Sequence, residues 1–132
     1  MPFYDVAAVA EAVGIDAKQL DNILSRNDLS GVERRTRGVS RRVSVDAAVT
    51  IHLASEISSA LGMPIGQALR LSAAIQQDAD YVVQAGEFAT LRADVARIRT
   101  TTVARLDSAV ELVGRRRRGR PSKAGRAPTL GA

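Results

Sequence analysis

With 132 residues, 45% hydrophobic and 25% charged, the chain is long enough for one small domain with a core and is not disordered throughout. It has no Cys, one His and 3% aromatic residues, which excludes disulfide scaffolds, Cys- or His-rich metal sites and the stacking surfaces of single-strand or RNA readers. The 19 basic residues exceed the 14 acidic ones, and most fall in two clusters on an otherwise acidic chain, the footprint of a polyanion binder.

Asp5 to Val13 reads as a first helix, with Val6, Val9, Ala10 and Val13 on one face. Gly14 ends it as a C-terminal cap. Asp16 caps a second helix, about Ala17 to Arg26, with Gln19 three residues on as in a capping box. Leu20, Ile23 and Leu24 form its buried stripe. Two short helices about a Gly corner predict a helix-turn-helix, with Ala10 small at the close approach and Ile15 plugging the angle. The order Ala-x-x-x-Gly-Ile-x-x-x-x-Leu-x-x-Ile resembles the helix-turn-helix signature of bacterial regulators; any Gly-cornered helical hairpin shares part of it. Lys18, Gln19, Asn22 and Arg26 are the candidate base readers, because Gln and Asn match adenine and Lys and Arg match guanine.

Val32 to Arg35 and Arg41 to Ser44 read as two short strands about Gly38. Arg34, Arg35, Arg37, Arg41 and Arg42 sit on this hairpin with only Glu33 beside them. They repel one another unless an anion is near, so the hairpin is expected to act as a wing that grips phosphates or the minor groove. Ser44 caps a third helix, with Asp46 in its first turn, that runs to about Leu61. Gly62 stops it, and Pro64 starts a fourth helix at its first position, reaching about Gln77. His52 is expected to be a packed or surface side chain, since no partner supports catalysis or metal binding.

Helix, turn, helix, Arg-rich wing, long helix and Pro-started helix is an order that resembles MerR-like winged helix-turn-helix proteins over about residues 4–77. The resemblance implies a DNA-reading second helix and wing. Asp21-Asn22 stands where the family commonly carries an Arg-Tyr pair, and no effector chemistry carries over.

In residues 78–113, Tyr81 to Gln84 and Glu87 to Ala93 are expected to pair about Ala85-Gly86. Asp94 then caps a helix reaching Val113, with Val95, Ile98, Thr102, Leu106, Ala109 and Val113 as its apolar stripe. The β-branched run Thr100 to Val103 leaves a strand open as the alternative. The stripe is the candidate interface of a homodimer, the alternative being that it packs on the third and fourth helices of its own chain.

From Gly114 the composition turns to Gly, Pro, Arg, Ser and Ala without apolar periodicity, which predicts a disordered basic tail over 114–132. Within it Arg118-Gly119-Arg120-Pro121, flanked by Arg115, Arg116, Arg117 and Lys123, resembles an AT-hook. Gly leaves a narrow minor groove unobstructed, and the flanking Arg lie along its floor.

The fold expected is mainly α: a winged helix-turn-helix domain (1–77), a hairpin and helix for dimerisation (78–113), and the tail. The function expected is sequence-selective binding of double-stranded DNA, as in a transcriptional regulator. Its rivals are a low-specificity architectural DNA binder and a protein-interaction module. No catalytic constellation, Gly-rich phosphate loop, metal site, cofactor or small-molecule effector is evident. No apolar run approaches the roughly 18 residues of a membrane span, and the acidic N-terminus is unlike a signal peptide. A cytoplasmic, nucleoid-associated location is therefore expected.

Overall fold

The structure, a computed structural model, describes residues 3–33, 41–78 and 80–119, with side chains described as far as residue 112. It is mainly helical, with two small antiparallel sheets. In chain order the elements are β1 (Phe3–Asp5), α1 (Val6–Val13), α2 (Ala17–Arg26), β2 (Arg42–Ser44), α3 (Val45–Leu61), α4 (Ile65–Gln77), β3 (Val83–Ala85), β4 (Ala89–Leu91) and α5 (Val95–Gly119).

The third helix is the centre of the molecule. Its side chains are buried almost all round from Val45 to Ala54, as expected of a helix with neighbours on every side. It packs against α1, α4, α5 and β2. Its N-terminus is fixed by Ser44, whose Oγ accepts the Ala47 N–H at 3.1 Å. Ala48, Val49 and Ala54 are fully buried, small enough to let neighbouring helices approach. Gly62 takes a left-handed conformation at the C-terminus, and Pro64 stands at the N-cap of α4 rather than in its first turn.

Three features depart from the sequence reading. First, β1 is a strand that the periodicity did not indicate. It pairs antiparallel with β2, with Phe3 opposite Ser44, Tyr4 opposite Val43 and Asp5 opposite Arg42. The expected pairing within the wing survives at its base: Val32 bridges Val43, the Glu33 N–H donates to the Arg42 carbonyl at 2.9 Å, and the Ser44 N–H to the Gly31 carbonyl at 2.8 Å. The predicted turn around Gly38 lies outside the described residues.

Second, residues 95–119 are one helix. The β-branched run does not make a strand, because its hydroxyls bond within the helix: Thr100 Oγ1 donates to the Ala96 carbonyl at 3.0 Å and Thr102 Oγ1 to the Ile98 carbonyl at 2.6 Å. Asp94 Oδ1 accepts the Arg97 N–H at 3.1 Å, as its capping role predicts. The helix continues past Val113 into the segment whose composition suggested a disordered tail.

Third, the stripe on this helix is not a free dimer face. Thr102 and Leu106 are fully buried and Ala109 nearly so, and α5 packs on α1 and α3 of its own chain. Leu106 and Ala109 belong to the same apolar cluster as Val9, Leu20, Ala48 and Leu69. The first four helices therefore do not complete their core alone.

The hairpin expected near Ala85-Gly86 is present, with Gly86 to Phe88 as its turn and Val83 opposite Leu91. Among the described residues no helix is long and apolar enough to cross a membrane.

Candidate nucleic-acid interface

The corner between α1 and α2 is built as its residues require. Gly14 has φ 88°, and its N–H and that of Ile15 both donate to the Ala10 carbonyl, at 2.8 and 3.0 Å. Asp16 then caps α2, its Oδ2 accepting the Gln19 N–H at 3.3 Å. Leu20 and Leu24 are buried and Ile23 packs on the same core. At 3.6 residues per turn, this leaves Lys18, Gln19, Asn22 and Arg26 on the opposite side, within an arc of about 100°. All four are exposed. They form a continuous strip of donors and acceptors with the dimensions of one helix face.

Asp21 lies at the border of that strip and is held. Arg41 Nε donates to its Oδ1 at 3.1 Å, and Arg41 Nη2 donates to Ser25 Oγ at 2.9 Å. The Ser25 hydroxyl in turn donates to the Asp21 carbonyl at 2.9 Å. The Arg41 side chain is only 13% exposed. Arg41 therefore ties the segment entering β2 to α2 and neutralises the acid nearest the strip. It is a positioning residue and not an open cation.

Arg42 differs from its neighbour. It is exposed, with its guanidinium over the Phe3 ring, 5.9 Å from the centroid. Thus β1 gives Arg42 both a backbone partner and an aromatic support. Arg34, Arg35 and Arg37 lie outside the described residues. Arg117, Arg118 and Gly119 fall in the last turns of α5, their side chains outside the described part, and Arg120, Pro121 and Lys123 lie beyond it.

One basic residue of this region was not singled out from the sequence. Arg70, exposed on α4, lines a cleft of about 610 Å³ together with Arg26, Asn27, Asp28, Gln76 and Arg99. At this cleft, Asn27 Oδ1 comes within 2.9 Å of where a Cβ on Gly66 would stand. Gly66 thus lets the first turn of α4 approach the end of α2. A lone Arg in an apolar-rich helix gives no sequence signal for such a neighbour. Arg99 in the same cleft is paired with Asp46 across the α3–α5 contact.

The only His is structural. His52 is buried, and its Nδ1 lies 2.7 Å from Thr102 Oγ1. The Thr102 proton is already given to the Ile98 carbonyl, so the imidazole must donate from Nδ1. Burial lowers the His52 pKa below 6.5, the Arg105 charge lowers it further, and Glu56 opposes both. Among the described residues, no group of three or more His, Asp or Glu side chains is placed to hold a metal ion.

Compared with known proteins, the chain matches no family model, no curated protein and no solved structure.

Proposed function

We propose that this chain binds double-stranded DNA and reads sequence in the major groove with α2, as a transcriptional regulator of MerR-like winged helix-turn-helix type. The observation that carries the reading is the exposed strip of Lys18, Gln19, Asn22 and Arg26 on a helix projected by a Gly corner. Of the acids near the strip, Asp16 caps α2 and Asp21 is paired with Arg41, while Asp28 lines the cleft beside Arg26 and Arg70. Arg42 on β2, together with Arg34, Arg35 and Arg37 of the same basic stretch of sequence, supplies phosphate contacts. Arg70 extends the basic surface beyond Arg26. The basic segment from Arg115 adds a second contact to DNA, with Arg118-Gly119-Arg120-Pro121 acting as a minor-groove hook once the last turn of α5 unwinds.

A low-specificity architectural binder is the second reading, favoured by the Arg clusters outside α2, which suit phosphates irrespective of sequence. The deciding experiment titrates the full chain with a random-sequence duplex over a range of salt. DNA binding of either kind gives measurable affinity at low salt that falls steeply as salt rises. No binding at low salt would sink both readings and leave the helix-turn-helix as a protein-interaction module.

A further inference from the structure

The β3–β4 hairpin is an exposed two-stranded ribbon, a kind of element that is marginal without a covering partner. Its turn carries Phe88, 93% exposed, and Tyr81 and Val82 at its foot are exposed as well. At the base of the same hairpin lies a groove of about 530 Å³, floored by Ile57, Leu61, Leu91 and Ile98. Leu61 is 57% exposed there. Arg92, Arg97 and Arg105 rim the groove together with Glu56 and Asp94, whose carboxylate is engaged by the Arg97 N–H. The tip therefore offers an acid beside an aromatic ring, Glu87-Phe88, and the groove offers an apolar floor under an arginine-rich rim. A chain cannot seat its own tip, because Phe88 stands three residues along the strand from Leu91, about 10 Å.

We propose that two copies of this chain dock hairpin to hairpin about a twofold axis, each Phe88 entering the groove of the other beside Leu61, with Glu87 facing the arginine rim. Two hairpins laid antiparallel put the tip of each at the base of the other, so one rotation fills both grooves and covers a strand edge of each. The segment 78–94 has four acids and one Arg, which disfavours nucleic acid as the occupant. The pairing does not rest on the DNA reading and is tested without DNA.

The test is sedimentation equilibrium of the full chain up to about 100 µM, since so small an interface associates weakly. Wild type is expected to dimerise, and Phe88→Ala and Leu61→Glu each to weaken the dimer by roughly tenfold or more. Both sites are exposed, and far-UV circular dichroism confirms the fold. The sharper arm mixes the two variants. One intact tip then meets one intact groove, so the mixed dimer is expected to be tighter than either variant's homodimer. A wild-type monomer over the whole range, variants that dimerise like wild type, or no gain on mixing would each overturn the proposal.

Discussion

Gly31 and Gly14 hold the same left-handed backbone, each with φ 88°, and differ in their surroundings. A Cβ on Gly14 meets nothing within 4 Å, whereas one on Gly31 falls on Ser44 Oγ, well inside contact distance. Gly14→Ala is expected to cost about 1 kcal/mol, the backbone penalty alone. Gly31→Ala adds the displacement of the Ser44 cap from α3, roughly another 1 kcal/mol. Urea unfolding measures both, and equal losses would contradict this account of the cap. His52 makes a second prediction at this scale. Its folded pKa is depressed, so between that value and 6.5 the unfolded chain binds more protons than the folded one. Stability therefore rises with pH through this window, is complete above 6.5, and is lost as pH falls. In His52→Asn, where Nδ2 replaces the Nδ1 donor without a titrating ring, that part of the pH dependence is expected to vanish. An unchanged slope would remove His52 as its source.

Among the elements, the short helices were the most legible. Val6, Val9, Ala10 and Val13, then Leu20, Ile23 and Leu24, give the helical spacing, and Gly14 and Asp16 supply stop and start signals between them. The strand β1 was not legible, because three residues carry no periodicity and its partner β2 lies far along the chain. The helical state of α5 was legible in its i, i+3, i+4 stripe, but what the stripe meets was not, since periodicity reports a buried face without naming the neighbour. The His52–Thr102 bond was hidden for the same reason: its ends are 50 residues apart. At the candidate site the four strip residues could be read from helix geometry, whereas the difference between Arg41 and Arg42 required the Asp21 contact. The core role of α5 predicts that Leu106→Ala costs about 2–5 kcal/mol in chemical denaturation and leaves the oligomeric state of the folded protein unchanged. A folded, stable monomer produced from a wild-type dimer by this substitution would restore the stripe as the interface. The two arginines give a matching test at the interface. Arg42→Ala is expected to reduce the salt slope of duplex binding by about one contact, while Arg41→Ala leaves the slope and lowers stability. Equal slope changes would mean that Arg41 leaves Asp21 to reach phosphate.

For the whole molecule, the layout separates three tasks. The core around α3 sets the position of α2 through α1 and Arg41. The exposed face of α2 presents the strip, with Arg70 in the cleft beyond Arg26, and the hairpin offers an apolar tip and, at its base, an apolar groove rimmed by arginines. The central claim is that α2 reads bases. The most direct measurement is selection of bound duplexes from a random pool by wild type and by Gln19→Ala and Asn22→Ala variants. The account predicts a defined preferred site for wild type, and relaxed preference at particular base positions in each variant, worth roughly 1–3 kcal/mol per lost bidentate contact. Wild type and both variants selecting the same site with the same stringency would contradict it.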